Sequence, residues 1–294
     1  GLRGTRPIAQ GPHPGQGAAM SQKTILITGC SSGIGYDAAL GLRDRGWRVF
    51  AACRREEDCA RLRELGFDAP RIDYQDGASI DAGLAEVLEA AGGTLDALFN
   101  NGAFASPGLV EDMPTDGLRA IFEANFFGWH HLIRAVIPVM RAQGHGRIVQ
   151  CSSVLGLVTL PWRGAYNSTK FALEGMTDTL RIEMRGTGIH VSLIEPGPVT
   201  SKIRENAIPH FERWIDWENA PRAEDYAKLR HRLYQSSGPD AFELPPSAVT
   251  RKLAHAVEHP RPRPRYYVTT PTYLMGGLKR VLPTRWLDAI LARA

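Results

Sequence analysis

Lys23-Thr24-Ile25-Leu26-Ile27-Thr28-Gly29-Cys30-Ser31-Ser32-Gly33-Ile34-Gly35 is the stretch whose reading decides the fold. Residues 23–28 are short, apolar and β-branched, the composition of a parallel strand buried on both faces. A glycine-rich turn follows and runs into Ile34 to Arg45, where Ala38, Ala39 and Leu42 recur at helical spacing. Strand, glycine turn and helix in that order form a cradle for an anion. Glycine lets the backbone approach a pyrophosphate, and the helix N-terminus offers unpaired N–H groups to its charge. The glycines are spaced G-x-x-x-G-x-G rather than G-x-G-x-x-G. Such glycines can also serve only a tight turn, but their place after an N-terminal strand favours a nucleotide site.

Outward from this unit, strand-like runs at 48–52, 70–73, 95–99, 146–151, 189–194 and 265–269 alternate with helical segments. With 23–28 they predict an α/β fold, a Rossmann-type doubly wound parallel sheet of about seven strands with helices on both faces. The 294 residues fit one domain over 20–294. Residues 1–19, rich in Gly and Pro and ahead of Met20, read as a flexible leader outside the fold. The net charge of +4 is modest and the basic run Arg261 to Arg265 is short, which argues against nucleic-acid binding. Cys30, Cys53, Cys59 and Cys151 show no C-x-x-C spacing, so they suggest reduced thiols in a cytoplasmic protein rather than disulfides or a metal site.

Residues 164–186 read as a long helix, which places Tyr166 and Lys170 on one face. A nearby ammonium favours the phenolate and is expected to bring the Tyr166 pKa down toward neutrality, suiting the phenol to proton transfer with a substrate oxygen.

Taken together these residues resemble the short-chain dehydrogenases/reductases over nearly all of 23–270. The resemblance rests on ordered motifs: Thr28 to Gly35, Asp73, Asn100-Asn101, Asn125 to Gly128, Ser152-Ser153, Tyr166 to Lys170 and Pro196-Gly197. One departure stands out: the family usually reads N-N-A-G, where this chain has Asn100-Asn101-Gly102-Ala103. The resemblance implies that Tyr166 is the acid or base at a carbonyl or alcohol and that Ser153, thirteen positions earlier, orients the same oxygen. It implies too that Lys170 holds the nicotinamide ribose, and that Asn125 interrupts its helix and holds a water in a proton relay. By the same resemblance the dinucleotide would be held by Gly29, Ser31, Ser32, Gly33, Ile34 and Gly35 of the turn, with Arg54, Asp73, Asn101 and Gly102. Tyr166, Lys170, Pro196, Gly197, Val199 and Thr200 complete that set.

Cys53 stands where the family's NAD users carry Asp, and Arg54-Arg55 follow at once. A 2′-phosphate would meet cations and no carboxylate, so the expected cofactor is NADP(H). Phe211, Trp214, Trp217, Tyr226, Tyr234 and Phe242 make residues 200–245 a candidate substrate lid, or an insertion packed on the body. The tail at 271–294 holds no run of the ~20 apolar residues needed to span a bilayer; it would close the pocket, cover a subunit interface or touch a membrane surface. Lid and tail look like those of the hydroxysteroid and retinol dehydrogenase branch, which implies an apolar carbonyl or alcohol substrate. The expected protein is an NADP(H)-dependent oxidoreductase assembled as a homodimer or homotetramer. The alternative is a dinucleotide-binding sensor or scaffold without catalysis.

Overall fold

The computed structural model describes residues 22–235 and 238–293, so the expected leader at 1–19 lies outside the described residues. β1 (Thr24–Thr28) is buried along its whole length, as a strand covered on both faces must be. It leads through the glycine turn into α1 (Gly33–Asp44), β2 (Arg48–Ala52), α2 (Glu56–Glu64), α3 (Gly77–Ala90) and β3 (Ala97–Asn100). Next come α4 (Thr115–Phe122), a π-helical turn at Glu123–Phe127, α5 (Gly128–Gln143) and β4 (Gly146–Cys151). α6 (Gly164–Glu183), β5 (Ile189–Pro196), α7 (Ile203–Trp214), α8 (Tyr226–Tyr234) and α9 (Ser247–Glu258) follow. β6 (Arg265–Val268), α10 (Thr270–Val281) and α11 (Thr284–Leu291) end the described chain.

The strands form one parallel sheet in the order β2-β1-β3-β4-β5-β6. After β2 the chain crosses back over β1 to place β3 on its other side. The order therefore reverses at β1, and a crevice opens beyond the carboxyl ends of β1 and β3. α1 packs on α9, where Thr250 donates a hydrogen bond to Asp37. α3 packs on α5, and α6 lies against the junction of α4 and α5.

The sheet holds six strands among the described residues rather than about seven. Segment 70–73 does lie beside the end of β2, with Ala51 N donating to Asp68 O at 2.7 Å and Ile72 N to Cys53 O at 2.9 Å. Pro70 stands between these contacts. It has no N–H to donate, so the ladder breaks into the isolated pairs Phe50–Asp68 and Cys53–Arg71.

Within 200–245, Ala207, Phe211, Ile215, Tyr226, Leu229 and Leu233 form an apolar cluster of their own, with Trp162 and Trp217 packed against it. Packing thus accounts for Phe211, Trp217 and Tyr226, whereas Tyr234 and Phe242 are exposed. The segment is tied to the loop after β3: Tyr226 OH donates to Asp112 Oδ2 at 2.6 Å, and the Phe104 ring stacks on His210 at 3.7 Å. Among the described residues no helix is long and apolar enough to cross a membrane. Tyr273, Leu274, Val281, Trp286 and Ile290 of the tail are exposed.

Candidate active site

The crevice begins at the turn after β1. Gly29 has φ +69°, a left-handed conformation that favours glycine, and a Cβ on Gly35 would fall 2.3 Å from the Gly29 carbonyl oxygen. No side chain caps the first turn of α1 and no acidic residue stands in it. Its orphan N–H groups, around Gly33, Ile34 and Gly35, are therefore free of competing acceptors, and Ser31 and Ser32 flank them half-exposed. These features fit a dinucleotide's pyrophosphate. Asn101 pins the turn, its Nδ2 donating to Thr28 O at 3.1 Å, while Thr28 Oγ1 accepts from Asn101 N at 3.0 Å and Gly102 N at 3.2 Å. Gly102 backs directly onto Gly29: a Cβ on Gly29 would lie 2.6 Å from the Gly102 Cα. The departure from N-N-A-G thus puts glycine against glycine, and the turn stays closed.

At the end of β2, Cys53 is buried, and burial followed by the neighbouring Cys59 pushes its thiol up to about 12. The two arginines after it separate. Arg55 pairs with Asp58 at 2.9 Å, whereas Arg54 is exposed and forms no ion pair among the described residues. Asp73 braces its own loop, Oδ1 accepting from Gln75 N at 3.0 Å and its N–H donating to Ser79 Oγ at 3.0 Å.

α6 crosses the far side of the crevice. Lys170 is 1% exposed; its Nζ donates to Cys151 O at 2.8 Å and lies 4.6 Å from the centre of the Trp129 ring and 5.5 Å from that of Tyr166. Burial pushes the Lys170 ammonium down to about 8, opposed by Cys151 and Glu174. Burial also pushes the Tyr166 phenol above its ordinary range, with Cys151 adding to the rise and Ser153 and Arg163 opposing it. The expected lowering of the Tyr166 pKa by Lys170 is therefore reversed. Both groups have left water: desolvation of the phenol outweighs the lowering by Ser153 and Arg163, and burial disfavours the Lys170 ammonium as well.

Adjacent serines on extended backbone face opposite ways. Ser153 lies beside Tyr166 and accepts from Leu155 N at 3.1 Å, while Ser152 is buried toward Glu174. Asn125 sits in the π-helical turn between α4 and α5. Its side chain clamps Phe104, accepting from N at 3.0 Å and donating to O at 2.8 Å. Pro196 ends β5 and Gly197 N donates to Val268 O at 3.0 Å. Val199 pairs with Leu244, and Thr200 Oγ1 donates to Glu243 at 2.6 Å, so this stretch straps the start of 200–245 to its end.

Three groups escaped the reading of the sequence. Trp129 donates Nε1 to Gly102 O at 2.8 Å while its ring faces Lys170. Tyr74 links Thr28 to Asn100 beneath the crevice. Arg163 caps the start of α6 three residues before Tyr166; that closeness in sequence was the available signal.

Behind Lys170 lies a buried ionic cluster: Arg265 bonds Glu174, Glu195 at 2.7 Å and Asp178 at 2.6 Å. Burial first, then Glu174, pushes the Glu195 carboxyl from its ordinary 4.5 up to about 8. A raised carboxyl pKa contributes stability fully below about pH 4.5 and loses it as pH rises through about 8. Glu195→Gln leaves Arg265 its pairs with Glu174 and Asp178, so the decline in stability from about pH 6 to about pH 9 should be shallower by roughly 1–3 kcal/mol. Urea unfolding at both pH values checks this; parallel profiles would refute it.

The family model described as short chain dehydrogenase matches residues 23–210. An uncharacterized oxidoreductase of Escherichia coli K12, YbbO, is 39% identical over 270 residues, covering 92% of this chain and 94% of that protein. Human 17-beta-hydroxysteroid dehydrogenase type 1 is 29% identical, over 85% of this chain and 78% of that protein. Among solved structures, a short-chain dehydrogenase/reductase of Burkholderia phymatum in complex with NAD superposes with a TM-score of 0.73 at 27% identity, covering 92% of this chain and 95% of that one.

Proposed function

The chain belongs to the short-chain dehydrogenase family and is an oxidoreductase of that type, and from this premise we propose that it uses NADP(H) to interconvert a carbonyl and an alcohol on a largely apolar molecule. The observation that carries the reading is the group of buried Tyr166 and Lys170 with half-buried Ser153 beside a turn suited to a pyrophosphate. Bound NADPH would supply the hydride. Tyr166, its phenol held protonated by burial, gives its proton to the carbonyl oxygen as the alcohol forms, and Ser153 holds that oxygen. Lys170, its ammonium pushed down to about 8 by burial, would bind the ribose hydroxyls and resupply the Tyr166 proton. Asn125 acts through Phe104, fixing the wall opposite Tyr166. Reduction is the working direction where the cellular NADP pool is kept reduced.

Phe104, Ala165 and Leu155 pack around Tyr166, which supports an apolar body for the substrate, as the steroid of the human relative's name would have. The segment 200–245 serves as the lid over that body. Exposed Phe127 and Ile182, beside α5 and on α6, support assembly into a homo-oligomer through those helices. Four buried, free thiols support a cytoplasmic location.

Preference for NADP(H) rests on Arg54, since the Burkholderia neighbour holds NAD. Arg54→Ala removes the charge-assisted bonds to a 2′-phosphate and should lower the ratio of NADPH to NADH affinity by roughly 10- to 100-fold. Titrating both cofactors checks it; an unchanged ratio would overturn the assignment.

A further inference from the structure

Arg163 caps the start of α6, three residues before Tyr166 and seven before Lys170. Its position is imposed. Trp162, immediately before it, is held at φ 67° in the left-handed region, with its carbonyl accepting from Gly108 N at 3.0 Å and its ring edge-on to Tyr226 at 5.0 Å. A bulky residue persists in that conformation only where its surroundings over-determine it. The side chain that follows is partly buried, and Arg204, Arg232, Asp240 and Tyr166 are the groups whose charges bear on it. Arg204 and Arg232 both pair with Asp240, at 3.0 and 3.1 Å. Arg163 forms no salt bridge or side-chain hydrogen bond among the described residues, and the nearby carboxylate of Asp240 is already paired with two other arginines.

Such an arrangement is unfavourable by itself. Desolvation and the two neighbouring arginines push Arg163 down to about 10 from its ordinary 12.5. An arriving anion would neutralise the repulsion and offset the desolvation with charge-assisted hydrogen bonds, which suits the place to an anion.

We propose that the substrate carries an anionic group, a carboxylate in the simplest case, which Arg163 binds while the reacting carbonyl lies against Tyr166. This rests on the oxidoreductase reading above and adds a charged end to the apolar body proposed there. The anion could instead be a phosphate of the dinucleotide, but Lys170, proposed to hold the ribose, follows Tyr166 along α6 whereas Arg163 precedes it.

The test uses short, medium and long straight-chain oxo acids, each paired with its methyl ester, as substrates for the NADPH-loaded full chain. Wild type should prefer at least one acid over its ester by roughly 10-fold or more in kcat/KM. That preference should fall roughly 10- to 100-fold in Arg163→Ala, mainly through KM, and be partly restored in Arg163→Lys. Far-UV circular dichroism and NADPH affinity establish that each variant is folded. Three results would overturn the proposal: no acid preferred by wild type, a preference untouched in folded Arg163→Ala, or a loss confined to NADPH affinity, which would assign Arg163 to the cofactor. Turnover of esters but not acids would sink this inference and leave the oxidoreductase reading standing, whereas turnover of neither would count against that reading.

Discussion

Gly35→Ala is expected to weaken NADPH binding roughly 100-fold and to destabilise the protein by about 1–3 kcal/mol. The added Cβ would lie 2.3 Å from the Gly29 carbonyl oxygen and 2.8 Å from Asn101 Nδ2. Neither atom is free to yield. Gly29 is held in its left-handed turn against Gly102, and Asn101 is bonded to Thr28. Either α1 must tilt away from the turn or the turn must open, and each displaces the N–H groups aimed at the pyrophosphate by a substantial fraction of a hydrogen-bond length. Gly175→Ala is the control: it lies on the exposed face of α6 with no atom within 4 Å of a new Cβ, and should leave NADPH affinity unchanged. Fluorescence titration with NADPH and urea unfolding report the two effects. Undiminished affinity in Gly35→Ala would mean that the turn does not hold the cofactor.

Tyr166→Phe should lower kcat for carbonyl reduction by roughly 10²- to 10⁴-fold, the range for loss of a positioned acid. Phenylalanine keeps the ring packed against Phe104, Ala165 and Leu155, so the fold and NADPH affinity should stay near those of the wild type. The loss should fall on kcat far more than on KM, because the proton is needed only as charge develops on the oxygen. A variant that bound NADPH normally and turned over at wild-type rate would leave this protein without its assigned acid.

Much of the molecule is legible in local sequence because the relevant physics is local. The β-branched run 24–28 and the glycines after it state a strand and its turn, and four-residue spacing alone puts Tyr166 and Lys170 on one face of α6. The edge segment at 70–73 is a case where a visible residue, Pro70, outweighed a strand-like pattern. The direction of the Tyr166 shift was not legible. Spacing reports that an ammonium is near but not how much water remains, and burial decides the sign. Arg163 carries no motif. Its interest lies in the partners it lacks, which emerges only once Arg204, Arg232 and Asp240 are brought around it by α7, α8 and the loop beyond. The aromatic residues of 200–245 were legible as a group, but only packing separates the buried Phe211 and Tyr226 from the exposed Tyr234 and Phe242.

The claim on which the whole account turns is that hydride passes from a dinucleotide in the crevice to a carbonyl held by Tyr166 and Ser153. Its most direct test is reduction of a panel of carbonyl compounds with NADPH deuterated at the transferring position, by wild type and by Tyr166→Phe, with the product alcohols read by mass spectrometry. The account predicts one deuterium on the former carbonyl carbon of the wild-type product and a yield from Tyr166→Phe lower by roughly two orders of magnitude or more at equal time. Deuterium absent from every product, or present at equal yield from both proteins, would contradict it.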